Sequence, residues 1–431
     1  MVFGMLGLGG LTLPSGAQTP EHLNQNFLAM ERDLEEDFES YFGEDLAEVT
    51  QAPDAVSATL QRLATQTGSR AGVLWVIPRQ ELLHLVLLTP GGSVIVKDFD
   101  SIPRDRILPV VQAFKREISD PSLDPKSSKV AKQLYDWIIA PYAEELKAQN
   151  IDSLLFCLGN GMRGLPLAAL QDEEGQYLIE HYSVTSIPAF NLIDTDYEPL
   201  RQGKILAAGA SQFSAMNPLP AVPVELDMVQ SALRDTPVAA QGWQGRSLLN
   251  ETFTTRKLKS ELKTHPFNIV HLATHAEFLP GRPKQSYIQF QNKPLRLSKM
   301  GRVKWPKALD LLVLSACQTA LGDPEAELGF AGIALKSRVK SAMGSLWSVS
   351  DVGTLALMSE FYHQLPQAST KAIALQQAQL KLLRGDIHVA QDELRTQRGP
   401  TSLPKAIALG QSTNFAHPYF WAGFTLLSSP W

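Results

Sequence analysis

Two side chains in this sequence are placed to do covalent chemistry together, Cys317 and His275. Each closes a run of apolar, strand-forming residues. Phe267-Asn-Ile-Val-His-Leu-Ala-Thr-His275-Ala276-Glu277 carries the histidine, and Leu311-Leu-Val-Leu-Ser-Ala316-Cys317-Gln318-Thr319-Ala320 carries the cysteine. As strands of one parallel sheet, the two runs would present both side chains at the carboxyl edge, where such sheets do their chemistry. A thiol attacks as thiolate, and near neutral pH it needs a base or a cation beside it; an imidazole on a neighbouring strand end supplies one. The tetrahedral intermediate of such an acyl transfer needs donors, and the amides of Cys317 and of the small Ala276 are the expected oxyanion hole.

The other candidates are weaker. Cys157 lies inside Leu154-Leu-Phe-Cys157-Leu158 with no reactive neighbour and reads as core. His271 and His275 share a His-x-x-x-His spacing, which on a helix could hold zinc with Glu277 nearby. The flanks are β-like, however, and on a strand residues four apart lie about 13 Å apart, too far for one metal. His271 is therefore expected as an interior histidine, and no metal is expected. The loop Gly322-Asp323-Pro324-Glu325-Ala326-Glu327 follows the cysteine closely. Its acids Asp323, Glu325 and Glu327 would border the cleft and favour basic substrates, the plain alternative being a solvated turn.

The elements that must position these residues show in the hydrophobic pattern. Ile151 to Leu158, Ile205 to Ala208, Asn268 to Thr274 and Leu309 to Ser315 read as nearly continuous apolar strands. Val224 to Leu233, Thr254 to Leu262 and Gly329 to Lys340 read as the helices between them. That alternation predicts an α/β fold with a parallel sheet covered on both faces. Ahead of it, Ala71 to Ile77 and Leu82 to Thr89 read as a hairpin joined by Pro78-Arg79-Gln80-Glu81. Ile107 to Ile118 and Val130 to Ala148 read as helices, separated by the Pro- and Ser-rich Asp120 to Ser128 loop. From Glu21 to Glu48 ten acids stand against one base, Arg32, while Leu23, Phe27, Met30, Leu34, Phe38 and Phe42 recur every three or four residues. This is an amphipathic helix with a strongly acidic outer face, either docked on the body or offered to a regulatory partner.

Composition narrows the function. With 39 Lys and Arg against 44 Asp and Glu, a net charge of −5, there is no electrostatic reason to expect nucleic acid. Two cysteines in 431 residues exclude a disulfide scaffold. No apolar run approaches the roughly 20 residues that cross a bilayer, so no membrane span is expected. Met1 to Leu13 is apolar and Gly-rich, and Ser15-Gly16-Ala17 resembles a signal-peptidase site, yet no Lys or Arg precedes it. Residues 1–20 are thus expected to be an apolar leader or a disordered tail. A cytoplasmic location is expected, with export the alternative if residues 1–17 are a truncated signal peptide.

The segments His-Leu-Ala-Thr-His275-Ala276, Leu-Ser-Ala-Cys317-Gln-Thr-Ala, Glu327-Leu-Gly-Phe-Ala-Gly332 and Ser345-Leu-Trp347-Ser-Val-Ser-Asp351 resemble the motifs of the CHAT peptidase family. These are relatives of caspases and separases, often fused to tetratricopeptide arrays. His417-Pro-Tyr-Phe-Trp421-Ala-Gly-Phe resembles the family's closing motif, and the resemblance runs from about Ala71 to Trp431. It implies a caspase-like three-layer sandwich, with a mostly parallel central sheet and helices on both faces, preceded by a hairpin and helical N-terminal subdomain. On this reading residues 21–50 form the acidic helix, 51–200 the N-terminal part and 201–431 the catalytic part, with Cys317 and His275 as the dyad.

In separases, which cleave after arginine, an acidic residue beyond the corresponding Trp-bearing strand reads the basic side chain. Asp351, beyond the Ser345 to Val349 run expected as the next strand, is the candidate for that bidentate contact. Its competing assignment is the N-cap of the helical Thr354 to Leu365 stretch. No tetratricopeptide array precedes the domain in this sequence, so a standalone form is expected, controlled by the acidic helix or by a protein partner acting in trans. The function expected is a cysteine endopeptidase that cleaves a protein substrate after a basic residue, Arg above all, without metal or organic cofactor. The main rival is a non-catalytic interaction module that keeps the fold, against which stands the presence of both His275 and Cys317. A transpeptidase would share the dyad, and mass spectrometry of the products would separate it from hydrolysis.

Overall fold

The computed structural model describes residues 20–46, 48–124, 128–200, 203–234, 244–319, 321–407 and 413–431, with Pro20, Leu233, Arg234 and Cys317 described in their backbone alone. Residues 1–19 of the expected leader, and Ala320 of the cysteine segment, lie outside the described residues.

The first half runs α1 (Pro20–Phe42), α2 (Pro53–Thr67), β1 (Ala71–Pro78), β2 (Leu83–Leu88), β3 (Ile95–Phe99), α3 (Arg104–Ser119), α4 (Lys129–Ile138), α5 (Ala143–Ala148), β4 (Ser153–Leu158), α6 (Leu178–His181) and β5 (Ser183–Ile187). Local chemistry sets many of these bounds. Pro53 opens α2 without wasting an amide donor, and Gly68 closes it in the left-handed region at φ 73°. Ser128 caps α4 by accepting from the Ala131 amide. The helix expected over Val130 to Ala148 is broken, because Pro141 in the Ala140–Tyr142 turn separates α4 from α5. The hairpin forms as expected, and β3 adds an antiparallel third strand to it.

The second half runs β6 (Lys204–Gly209), α7 (Val222–Arg234), β7 (Gln244–Leu249), α8 (Thr255–Thr264), β8 (Ile269–Phe278), β9 (Tyr287–Gln289), β10 (Pro294–Arg296) and β11 (Leu311–Thr319). It continues through α9 (Pro324–Ala331), α10 (Ile333–Ser337), β12 (Ser341–Ser345), α11 (Asp351–Gln364), α12 (Lys371–Leu383), β13 (His388–Ala390), β14 (Glu393–Thr396), β15 (Gly399–Ser402), β16 (Thr413–Asn414) and β17 (Phe424–Ser428). One sheet carries thirteen of the described strands, in the order β10-β9-β8-β11-β12-β17-β5-β4-β1-β2-β3, with β6 and β7 attached through β8. It is mostly parallel. The C-terminal strand β17 joins the halves, parallel to β5 and antiparallel to β12.

Strand alternation shows how both faces are covered. On β1, Val73 and Trp75 pack in one apolar cluster with Phe27, Met30 and Leu34 of α1 and Val56, Leu60 and Leu63 of α2. Leu74 and Val76 pack in the other, with Ile107, Val111 and Phe114 of α3 and Leu134 of α4. The stripe of α1 is thus closed on the body as the periodicity implies. Its outer face is less acidic than expected, because Glu31 is fully buried. The Glu31 carboxylate accepts from Trp75 Nε1 at 2.6 Å, from the Phe190 and Asn191 amides at 3.1 and 2.9 Å, and from Asn191 Nδ2 at 2.9 Å.

One strand assignment and one helix assignment need correction. The strand after the cysteine strand is Ser341–Ser345, four residues before the expected Ser345 to Val349 run, and its small residues Ser341, Ala342 and Gly344 hide it from a hydrophobic scan. The helix expected over Gly329 to Lys340 starts earlier, where Asp323 caps α9, and breaks at Gly332 into α9 and α10.

Candidate active site

β8 and β11 lie side by side and parallel, with Ala316 opposite His275 and Cys317 opposite Ala276. The ladder continues past both residues to Phe278 and Thr319, so neither sits at a bare strand end. From Leu314 to Ala316 β11 takes two steps, while β8 takes three from Leu272 to His275; the extra residue is a bulge immediately before the histidine. Bulges of this kind re-aim the side chains that follow them.

His275 is half-buried, and its ring is fixed from two sides. Nε2 lies 2.8 Å from the carbonyl oxygen of Asn217, in the loop between β6 and α7, and the ring stacks at a tilt on Phe213 with centroids 4.8 Å apart. A carbonyl only accepts, so Nε2 carries the proton. In the neutral imidazole this leaves the lone pair on Nδ1, which is the nitrogen free to take a proton.

The backbone direction at the cysteine follows from the next strand. The Thr319 amide donates to Leu346 O at 3.3 Å on the β12 side. Successive residues of a strand turn their amides to opposite sides, so Cys317, two residues earlier, presents its N–H to that same side. There the β11–β12 register has already ended at Val313 and Met343. The same alternation turns the Ala276 amide toward β11 as a ladder donor. Of the two expected oxyanion donors, Cys317 alone faces a gap between strands; Ala276 would first have to leave the ladder.

A cavity of about 60 Å³ opens at this place, lined by His275, Ala276, Glu277, Ala316, Gln318 and Asp351 among others. Both chain neighbours of Cys317 therefore line it. Asp351 is the first residue of α11, and the N-cap is Ser350, whose hydroxyl accepts from the Gly353 amide at 3.2 Å. The capping alternative for Asp351 thus falls to its neighbour. Burial pushes the Asp351 carboxyl up, the charge of Glu225 pushes it further, and a backbone hydrogen bond at Ala221 and the nearby His275 pull it back. Three acidic residues, Glu225, Glu277 and Asp351, line this one small cavity.

Glu225 is the residue that sequence reasoning missed. It is buried in α7, lines the cavity and lies 3.1 Å from Nε2 of the fully buried His271, whose Nδ1 is 3.0 Å from the Tyr362 hydroxyl. The signal was present: Val222, Leu226 and Val229 form the buried stripe of α7, and Glu225 is an acid set within it. Asn217 contributes through its backbone, which leaves no trace in residue type.

The acidic loop is placed differently from the expectation. None of its three acids is among the described residues lining the cavity. Asp323 spends its carboxylate on the Glu325 and Ala326 amides as the cap of α9. Glu325 is exposed. Glu327 is buried at 1% exposure against Lys115, so a substrate contact through it is corrected to an interior ion pair. Cys157 lies fully buried in β4, where burial pushes its thiol up, as suits a core residue.

This architecture, with a histidine strand and a cysteine strand adjacent in a mostly parallel sheet, is that of the caspase-like proteins. More narrowly, the CHAT domain model matches residues 128–429, well over half of the chain, and the protein belongs to the CHAT domain family. The matched region starts later than the resemblance read from Ala71 and includes both the histidine and the cysteine segments. Among solved structures, the Saccharomyces cerevisiae separase–securin complex is similar over 96% of this chain and 34% of that chain, at 10% identity and a TM-score of 0.50. This chain therefore spans about a third of the length of that one. Gingipain R, an Arg-specific cysteine proteinase, matches over 84% of this chain and 78% of its own, at 9% identity and a TM-score of 0.44. The complex of Porphyromonas gingivalis RgpB pro- and mature domains matches over 84% and 79%, at 9% identity and a TM-score of 0.42. At these identities the likeness is one of fold. No curated protein matches the sequence. Among the described residues no helix is long and apolar enough to cross a membrane.

Proposed function

We propose that the protein is a cysteine endopeptidase, with Cys317 as nucleophile and His275 as its base, that cleaves a protein substrate after arginine. The observation that carries the reading is the pairing of the two strands, which sets His275 one register step from Cys317 with Nε2 tied to the Asn217 carbonyl. Nδ1 takes the thiol proton, the thiolate attacks the substrate carbonyl, and the Cys317 amide donates to the oxyanion. The imidazolium then protonates the leaving amine, and water assisted by His275 releases the acid and the free thiol. Asp351, with Glu225 behind it, offers the negative charge that a guanidinium requires, and its planar donors suit it better than lysine's point charge. CHAT family membership supports peptidase chemistry. The deciding experiment is a scan of peptides varied at the cleaved position, with the wild type beside Cys317→Ala. Cleavage by Cys317→Ala at the wild-type rate would refute the nucleophile, and a preference for apolar residues would refute the specificity.

A further inference from the structure

Glu327 belongs to the segment that follows the nucleophile strand, yet it lies in the interior and fastens three stretches of chain. Its Oε1 accepts from Lys115 Nζ of α3 at 2.5 Å and from the Gly322 amide at 2.8 Å. Its Oε2 accepts from the Gly164 amide, in the turn after β4, at 3.0 Å. Gly322 stands five residues beyond Cys317, at φ 89°, in the turn from β11 to α9. That left-handed conformation is one glycine takes without strain. Next to Gly164, Arg163 is buried and ion-paired with Asp37 of α1, and its guanidinium sits 5.2 Å from the Phe38 ring. Lys115, Arg163, Glu327 and Asp37 thus form a neutral set of two cations and two anions between α1, α3 and the turn behind the nucleophile.

If stability were its whole purpose, apolar side chains of the same volume would serve as well as a buried ion pair. What they cannot do is accept from the Gly322 and Gly164 amides. The Gly322 bond leads directly back along the chain to the end of β11.

We infer that Glu327 is a positioning residue for Cys317, its carboxylate aimed by Lys115 and braced by the Arg163–Asp37 pair so that the Gly322 turn fixes the end of the nucleophile strand. The inference rests on Cys317 being the nucleophile, as proposed above. It makes α1 a brace for the active site as well as a cover for the sheet.

The test reads thiol reactivity rather than peptidase activity. Iodoacetamide alkylation of Cys317 in the full chain is followed by mass spectrometry, with the buried Cys157 as internal control, beside the thermal midpoint of each variant. Lys115→Met with Glu327→Leu replaces the pair by apolar groups of similar volume. Such a variant leaves the Gly322 and Gly164 amides without their acceptor and should lower the midpoint, but in protein still folded at the assay temperature its alkylation rate should fall by about 10-fold or more, because a displaced nucleophile is a misplaced one. Asp37→Asn should fall in the same direction, and Asp37→Glu should restore the rate. A wild-type rate in the folded double variant would overturn the inference. Should the double variant fail to fold, unchanged rates in Glu327→Gln and Asp37→Asn would overturn it equally. A wild-type Cys317 that is alkylated no faster than an unfolded thiol would remove the nucleophile itself, and the positioning role with it. That result is distinct from equally fast rates in wild type and variants.

Discussion

Replacing Asp351 by asparagine keeps the shape of the cavity wall and removes one charge, and the consequence can be scaled. Two unit charges 4 Å apart attract by about 4 kcal/mol at the effective dielectric of a partly screened protein site. Losing one partner of a hydrogen-bonded, desolvated pair costs about 2–4 kcal/mol at such interfaces. In kcat/KM that is roughly 30- to 700-fold. The assay compares peptides with arginine or citrulline at the cleaved position, since citrulline has nearly the same shape without the charge. The wild-type Arg-over-citrulline ratio should fall by that factor in Asp351→Asn, while the citrulline rate itself barely moves. The pH dependence has a definite sign. Burial first, and Glu225 second, raise the Asp351 carboxyl above its ordinary value. The charge is therefore complete on the alkaline side, and it is lost on acidification earlier than for a free carboxylate. The arginine preference should weaken as pH falls through that raised value, and in Asp351→Asn it should be flat across the same window. An unchanged ratio in the variant would refute the assignment of Asp351.

Three further outcomes follow from contacts already described. His275→Ala and Cys317→Ala should each abolish peptide cleavage with an unaltered circular dichroism spectrum; a cleaving His275→Ala protein would show that another group is the base. Glu31→Leu orphans the Trp75, Phe190 and Asn191 donors, at about 1–3 kcal/mol for each buried group left unsatisfied, and should lower the urea midpoint by the equivalent of roughly 3–6 kcal/mol. A midpoint within error of the wild type would count against that network. Deleting residues 1–42 removes the buried Phe27, Met30, Leu34, Phe38 and Phe42, which together represent roughly 8–15 kcal/mol of apolar transfer before entropy is subtracted, and should give insoluble protein. A soluble, folded truncation would instead make α1 a detachable element.

Sequence pattern located the sheet well because its strands are buried on both faces and read as continuous apolar runs. β4, β6, β8 and β11 all fall on such runs. β12 escaped because Ser341, Ala342 and Gly344 carry little side chain, and β13 to β16 because their alternation is polar and short. At the site, the cysteine and histidine strands were legible as a pair since each apolar run leads into a reactive side chain, although both strands continue past it. The bulge before His275, the carbonyl of Asn217 and the direction of the Ala276 amide are properties of backbone pairing, which no residue type announces. Glu31 and Glu327 share one lesson. Each looks like surface charge in a linear reading, and each is buried because particular donors are waiting for it.

The Ser345 to Asp351 motif lines the cavity through Ser348, Val349 and Asp351, and the closing motif holds it from behind. Asp351 is reached from β12 through the loop Leu346 to Ser350, and that loop is held mainly by the C-terminal segment. The Leu346 amide donates to Gly423 O at 2.9 Å, Trp347 Nε1 donates to Tyr419 O at 3.0 Å, and the Tyr419 hydroxyl donates to Ser348 O at 2.8 Å. His417 in turn accepts from the Tyr419 amide at 3.0 Å, and fully buried Trp421 donates to Ala416 O at 3.1 Å. The closing motif is therefore the clamp on the loop that leads to Asp351. A cavity of about 60 Å³ is far smaller than the 300 Å³ or more usual for ligand sites, and a guanidinium on its three-carbon stem cannot enter it as it stands. On the proposed reading, an arginine side chain reaches Asp351 once the gap between β11 and the Leu346 to Ser350 loop widens. The loop is held by a few hydrogen bonds to the C-terminal segment and by the Thr319 amide on Leu346 O, whereas the His275 side of the cavity is paired into the sheet. Widening on the Asp351 side would leave the His275 and Cys317 strands in register, as the proposed mechanism requires.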